Sequence, residues 1–523
     1  MAIANFFDKA ALAAAQVLDG VDHSSLIALL KHQLVGIAFD DNAVSTFEGK
    51  CTLELTVNLL ARFYPKLAFK PKGKAADIFT DDLTKIAKSI NPDIELTLTK
   101  TGKLKDTPSV YLVVGQSNIK SDVPVIYIGS DGWIVRLSSK TPVGSANTIN
   151  PYGAGAAACF GAANIFRFIF KDFLTEGKFD SELTLSLIDY DPDSRKPKNP
   201  KLKEINLESA ALVGLGAVGN AAVWSLSRTP FLKGSLDLID DEKIDLTNLQ
   251  RYILSTQSDI DAVKVDLGLK QFQSTDLEVI NNKDRWGDFY RKNSAKILNL
   301  VAVAVDSDTG RQAIQAALPE WVVNAWTQAG DLGVSRHDFI GENACLTCLY
   351  FPQEKGKNLD QIVAAALGLP NDLMEIRTLL YNNAPVGRSL LERSAQSLKI
   401  PVEQLFKFED EPLYQFYTKA VCGGVVLKLG GNFEVADKQN TAVPLAFQSA
   451  LAGIMLAAEM IIHAGELRKK AFFTTTKIDL LRPLKKYLNQ PALKEPTLSC
   501  ICHDRDYINV YKSRHKGLFL SSV

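Results

Sequence analysis

The segment ALVGLGAVGNAAVWSLSR, Ala211 to Arg228, constrains the fold of this chain more than any other stretch. An apolar run ends in Gly214-x-Gly216-x-x-Gly219 and passes directly into an Ala- and Val-rich helical pattern. Three glycines at this spacing permit a tight turn, a close approach of backbone N–H groups to phosphate, and close packing of helix on strand. The helix N-terminus behind the turn adds about half a positive charge. The segment predicts a strand–turn–helix unit in a Rossmann-like α/β fold with a mainly parallel sheet. Alone it does not separate a retained NAD from a consumed ATP, or either from a turn that serves only packing.

The flanking sequence supports the same unit. Ala210–Val213 reads as the strand, Asn220–Ser227 as the helix and Ser235–Asp240 as the next strand. Leu298–Asp306 and Trp321–Trp326 read as further buried strands, and the more alternating Leu332–Phe339 as one nearer an edge. With 523 residues, 46% of them hydrophobic, the chain has material for two to four domains. The Pro- and charge-rich Asp191–Glu204 is the best boundary, dividing a first half, residues 1–200, from a second, residues 201–523.

In the first half, helical patterns at Phe6–Leu18 and Leu26–Leu34 precede a β-rich region. It contains a strand at Tyr111–Gly115 and a hairpin within Pro124–Ser139 that folds at Gly129–Gly132. A small-residue helix follows at Asn150–Arg167, with a counterpart at Pro444–Ile461 in the second half. That pairing suggests related halves, the first without a glycine turn and so without nucleotide binding.

Composition excludes some functions. Fifty-nine basic residues balance 59 acidic ones, so no global field attracts nucleic acid or an anionic membrane. No apolar run is read as spanning a bilayer, since Leu445–Ile462 is interrupted by Gln448, Ser449, Gly453 and Glu459. The first residues lack a basic start and include Asp8, so a cytoplasmic location is expected.

The residues after the second strand decide the ligand. Asp240 stands where a carboxylate accepts ribose hydroxyls. Asn248 and Arg251 follow one helical turn apart, with Lys264 further on. Two cations exceed what a pyrophosphate already held by backbone amides needs. They suit a triphosphate whose α-phosphorus is under attack. Asp306, with Asp308 two residues on, directly follows an apolar strand, a place where an acid often only caps the next helix. Cys345-x-x-Cys348 and Cys500-x-Cys502, followed by His503, can close a structural zinc site. Four cysteines are the favoured set, with His503 beside Cys500 the geometric alternative. Cys51, expected to open a strand, and Cys159 read as buried packing residues. Cys422 lies beside Gly423–Gly424 after a largely helical stretch from about Leu359 to Lys419, within an inserted segment at about residues 355–440, and the glycines leave exposed amides and room for an incoming carbonyl.

Gly214–Gly219, Asp240, NLQR (Asn248–Arg251) and Lys264 together resemble the adenylation motif of the ubiquitin-activating and ThiF–MoeB–HesA adenylyltransferase family. Two departures stand out: Glu242 replaces the family's second Asp, and Tyr252 replaces the Gln after the arginine. The resemblance implies that Asp240, with Glu242 nearby, holds the ribose of ATP. It implies phosphate contacts from Asn248, Arg251 and Lys264, Mg2+ on Asp306, and Zn2+ on Cys345, Cys348, Cys500 and Cys502. Cys422 would take the acyl group as a thioester. The first half would then be a degenerate adenylation-like domain completing the active half's site, as simpler relatives do by homodimerising, and a homodimer of this chain stays open. In the family an arginine from the inactive half reaches the phosphates, and Arg62 and Arg167 are the candidates. The implied partners are a ubiquitin-like protein with an exposed C-terminus and a conjugating enzyme, with no nucleic acid or membrane. A bacterial, phage-defence-type operon is the context by analogy. Alternatives are a sulfur-carrier adenylyltransferase, a non-catalytic nucleotide-binding partner and an NAD oxidoreductase.

Overall fold

A computed structural model describes residues 4–99, 107–272, 276–351, 359–417, 419–420, 443–468 and 472–516. Each half carries one open sheet. The first contains β1 (Val35–Asp40), β2 (Lys66–Lys72), β3 (Glu95–Leu98), β4 (Val110–Val114), β5 (Val125–Asp131), β6 (Ile134–Ser138) and β7 (Glu182–Ser186). The second contains β8 (Ile205–Val213), β9 (Leu232–Ile239), β10 (Glu278–Asn282), β11 (Leu300–Val303), β12 (Trp321–Thr327), β13 (Leu332–Asp338), β14 (Thr475–Ile478) and β15 (Asn489–Gln490). Their orders are β3-β2-β1-β4-β5-β6-β7 and β10-β9-β8-β11-β12-β13-β14-β15. Counted from its own first strand, each sheet runs third, second, first, fourth, fifth, sixth, seventh, and the second adds an eighth at its edge. In both, the first five strands are parallel and the later ones antiparallel. The Rossmann-like α/β expectation is borne out, and the two halves share one topology.

One element of the first half departs from its sequence reading. Cys51 does not open a strand; it lies inside helix Phe47–Ala61. That helix is buried on most of its surface, so its polar–apolar period is faint, and its Thr and Val residues mimic a strand. The hairpin β5–β6 turns through Gly132 and Trp133, leaving Gly129 within β5. Residues 191–204 form neither helix nor strand.

Helix Ala217–Leu226 follows β8, and helix Ala446–Ala464 lies across it. The contact is close because of Gly453: a Cβ there would stand 2.1 Å from the Val218 carbonyl oxygen. Helix Ala446–Ala464 also packs across the halves on helix Pro151–Ile169, which in turn covers helix Phe47–Ala61. One apolar core therefore runs through both halves. Contrary to the sequence reading, Ala446–Ala464 is long and apolar enough to cross a bilayer, but it is almost wholly covered by protein. Its Glu459 is clamped between Arg336 (2.6 Å) and Arg468 (2.9 Å). Burial alone would raise that carboxyl, and the two guanidiniums hold it down at about 2. Helices Leu359–Ala366, Leu373–Tyr381, Arg388–Leu398 and Leu413–Tyr417 form the expected helical insertion around a separate small core.

Candidate active site

The glycine turn sits at the carboxyl end of β8, where the strand order reverses between β8 and β11. Gly214 takes φ +89°, a left-handed backbone that L side chains rarely adopt. The Leu215 N–H donates to Asp240 Oδ2 at 2.7 Å and the Glu242 N–H to Oδ1 at 2.9 Å, so one carboxylate ties the turn to the end of β9. Burial raises the Asp240 pKa, opposed by Lys264 and by these two amides.

A cavity of about 840 Å3 opens above the turn. Gly214, Gly216, Asp240, Glu242, Arg251, Lys264 and Asp306 all line it, drawn from the ends of three strands and from the loop after β9. Gly219 and Asn248 do not. Gly219 faces the Gly214 carbonyl inside the turn and works through packing. The Asn248 side chain accepts from the Asp245 N–H at 3.0 Å, and the Asp245 side chain caps the same short 3-10 turn in return. Asn248 Oδ1 thus serves a cap that shapes the segment leading to Arg251.

The cations differ in their partners. Lys264 opens helix Lys264–Lys270, pairs with Glu242 and lies 3.9 Å from Asp240. Burial lowers its pKa, but Tyr252, Asp240 and Glu242 outweigh burial and the net direction is upward. Arg285 donates to Asp241 at 2.9 Å, and Arg311 to Asn324 at 3.0 Å. Arg251 has no carboxylate within 4 Å among the described residues, and its Nη1 is buried with no hydrogen-bond partner. Burial pushes its pKa down. A buried guanidinium nitrogen without an acceptor is costly, and an anionic ligand in the cavity would supply one.

Asp306 lines the cavity whereas Asp308 does not; Asp308 sits in the first turn of helix Asp308–Ala316 and pairs with Arg311 at 3.5 Å. Sequence reasoning missed Arg285, Trp286 and Trp326, which also line the cavity. Trp286 follows β10, so examining the carboxyl end of every parallel strand would have found it.

Cys345, Cys348, Cys500 and Cys502 converge, with Sγ–Sγ separations of 3.7, 3.6 and 3.4 Å for 345–348, 345–500 and 348–502. Zn–S bonds of about 2.3 Å at tetrahedral angles require S–S edges of roughly 3.8 Å. The four thiols fit zinc, and the Glu495 N–H donates to Cys348 Sγ at 3.3 Å as an outer support. His503 instead makes a 3.2 Å hydrogen bond with the Glu495 carbonyl, so the fourth group is Cys502. Cys422 lies outside the described residues; nearby Lys419 pairs with Glu411 at 2.8 Å.

In the first half, β1 ends on Asp40 where β8 ends in the glycine turn. The Asp40 carboxylate accepts from the N–H groups of Ala43 (3.0 Å) and Gln116 (2.9 Å), occupying amides that a phosphate would need. Cys51 and Cys159 are buried, as expected. Burial pushes the Cys51 thiol up to about 12 and raises that of Cys159 as well. Arg167 pairs with Asp180 inside the first half and does not line the glycine-turn cavity. Arg62 crosses to the second half, donating to the Leu249 carbonyl and, at 3.0 Å, to that of Ser255; burial lowers it to about 9.

Comparison with known proteins fits this arrangement. Residues 38–171 match the Prokaryotic E2 family C, although both cysteines in that stretch, Cys51 and Cys159, are buried. The "Uncharacterized protein y4jF" of Sinorhizobium fredii is 42% identical over 515 residues, covering 98% of each chain. Among solved structures, E. coli MccB with MccA-N7isoASN is 15% identical with a TM-score of 0.35, over 56% of this chain and 66% of that one, just under two thirds. E. coli MccB with ATP is 14% identical with a TM-score of 0.34, over 57% and 67%. The ThiF family matches residues 190–495, more than half of the chain and every residue that lines the glycine-turn cavity, and the protein belongs to the ThiF family.

Proposed function

We propose that this chain uses ATP to activate the C-terminal carboxylate of a ubiquitin-like protein. The observation that carries the reading is Arg251: a buried, unpartnered guanidinium nitrogen at a cavity that also holds a glycine turn, Lys264 and Asp306. A dinucleotide held by turn amides would leave that cation without a role. A triphosphate supplies an acceptor for it.

In this reading the phosphates lie on the amides of Gly214–Gly219, with Arg251 and Lys264 on their oxygens and Asp240 toward the ribose. Asp306 would hold Mg2+, which neutralises charge on the phosphates when bound. A substrate carboxylate oxygen attacks the α-phosphorus, the bond to the β-phosphate breaks, and pyrophosphate leaves. Arg251 and Lys264 stabilise the charge that builds on the phosphoryl oxygens. The product is an acyl-adenylate. The Cys422 thiolate then attacks the acyl carbonyl, AMP leaves, and the thioester passes to a conjugating enzyme. The first half is a degenerate adenylation-like domain whose Asp40 blocks the anion position. The match of residues 38–171 to a family described as E2 favours a conjugation pathway over sulfur-carrier chemistry, in keeping with a bacterial antiphage-type system.

The test incubates the protein with a candidate ubiquitin-like protein, ATP and Mg2+. A thiol-sensitive adduct is expected, and Cys422→Ala should abolish it while leaving pyrophosphate release. An adduct that survives Cys422→Ala refutes the nucleophile.

A further inference from the structure

The segment Leu249–Ser255 carries Arg251 and Tyr252 into the nucleotide cavity, yet much of what holds it comes from the other half of the molecule. Helix Phe47–Ala61 of the first half ends against it. From that helix Asn58 Nδ2 donates to the Ile253 carbonyl at 2.9 Å. From the following residue, Arg62 donates to the Leu249 carbonyl and to that of Ser255 at 3.0 Å, while its Nε donates to Asn58 Oδ1 at 3.0 Å. Three carbonyls flanking Arg251 are therefore gripped by two side chains that also hold one another. From the second half, Asn220 Oδ1 accepts the Leu254 N–H at 2.7 Å. Arg62 is buried, has no carboxylate partner among the described residues and spends its donors on these backbone oxygens.

We propose that Asn58 and Arg62 are positioning residues through which the first half holds Arg251 in place to bind phosphate. The first half, with its own anion position filled by Asp40, thus contributes to the site by fixing the backbone of a cation that belongs to the second half. This deepens the adenylation reading and rests on Arg251 binding a phosphate. Two side chains at three carbonyls leave the segment little freedom, so Arg251 meets its ligand without a large ordering cost.

A simple staple between the halves would have the same contacts, so the test must separate the two roles. ATP·Mg2+ affinity is measured by calorimetry for the full chain and for Arg251→Ala, Asn58→Ala and the double variant, with unfolding midpoints alongside. Asn58 is half-buried, which makes its removal milder than that of Arg62; Arg62→Lys, which keeps the charge but cannot reach both carbonyls, is the second probe. Losing Arg251 should weaken ATP by about tenfold or more, and losing Asn58 by about fivefold. In the Arg251→Ala background, Asn58→Ala and Arg62→Lys should each change affinity by less than about twofold, because both act through Arg251. Equal losses in the two backgrounds overturn the proposal, as does a lowered midpoint with unchanged ATP affinity. If Arg251→Ala binds ATP as tightly as the unmodified chain, the phosphate role of Arg251 fails and the positioning role with it. If the unmodified chain binds no ATP, the adenylation reading itself fails.

Discussion

The three glycines of the turn should respond differently to the same substitution, because a methyl group meets something different at each. Within a helix, Gly→Ala ordinarily stabilises by about 0.5–1 kcal/mol. At Gly219, in the first turn of helix Ala217–Leu226, the added Cβ would stand 1.9 Å from the Gly214 carbonyl oxygen. That oxygen is backbone in a turn already tied to Asp240, so the clash reverses the sign and costs about 1–3 kcal/mol. At Gly214 the backbone is left-handed and the Ala304 carbonyl oxygen would lie 2.7 Å away, so roughly 1–2 kcal/mol of backbone strain adds to a similar clash. At Gly216 φ is −62° and the nearest neighbour would be the Tyr252 hydroxyl at 3.6 Å, an ordinary contact. Gly216→Ala should therefore fold with stability within about 0.5 kcal/mol of the parent. It should nevertheless bind ATP more weakly, since Gly216 lines the cavity and the methyl obstructs close approach of phosphate. The assay pairs urea unfolding with ATP·Mg2+ titration for each variant. A Gly219→Ala protein as stable as the parent, or a Gly216→Ala protein destabilised to the same degree, refutes the reasoning.

Other outcomes follow from particular groups. Burial holds His337 down to about 4, below an unfolded value near 6.5. The unfolded chain binds more protons between these values, so stability present above pH 6.5 is lost as pH falls toward 4, by on the order of 3 kcal/mol. Urea midpoints across that window should decline, and a flat profile contradicts the buried neutral imidazole. Chelating zinc, or Cys348→Ser, should lower the unfolding midpoint and release one metal per chain by elemental analysis; an unchanged midpoint rules out a structural metal. Cys51 and Cys159 should resist an aqueous thiol reagent until the chain unfolds, and rapid native labelling at either would contradict their burial.

What could be read in advance depended on whether a residue's role is local. The strand–turn–helix at Gly214, the acid at Asp240 and the paired cysteines are short-range patterns, and the fold brings the first two to one cavity and the four thiols to one cluster. Asn248 shows the limit: an Asn three residues after an Asp is equally a capping partner and a phosphate donor, and the backbone geometry chose the cap. Helix Phe47–Ala61 was misread around Cys51 as a strand because an element buried on most sides loses the periodicity that marks it. Arg62 was a bare candidate, because its partners Leu249 and Ser255 lie nearly two hundred residues away in the sequence and only the packing of the halves brings them together.

The central claim is that the cavity above Gly214 consumes ATP by transferring AMP to a carboxylate. Exchange of labelled pyrophosphate into ATP, run with Mg2+ and the ubiquitin-like substrate, tests it most directly. The account predicts exchange that requires the substrate and falls by about a hundredfold or more in Arg251→Ala and Asp306→Ala. Release of ADP and phosphate in place of exchange, or tightly bound NAD with no exchange at all, would contradict it.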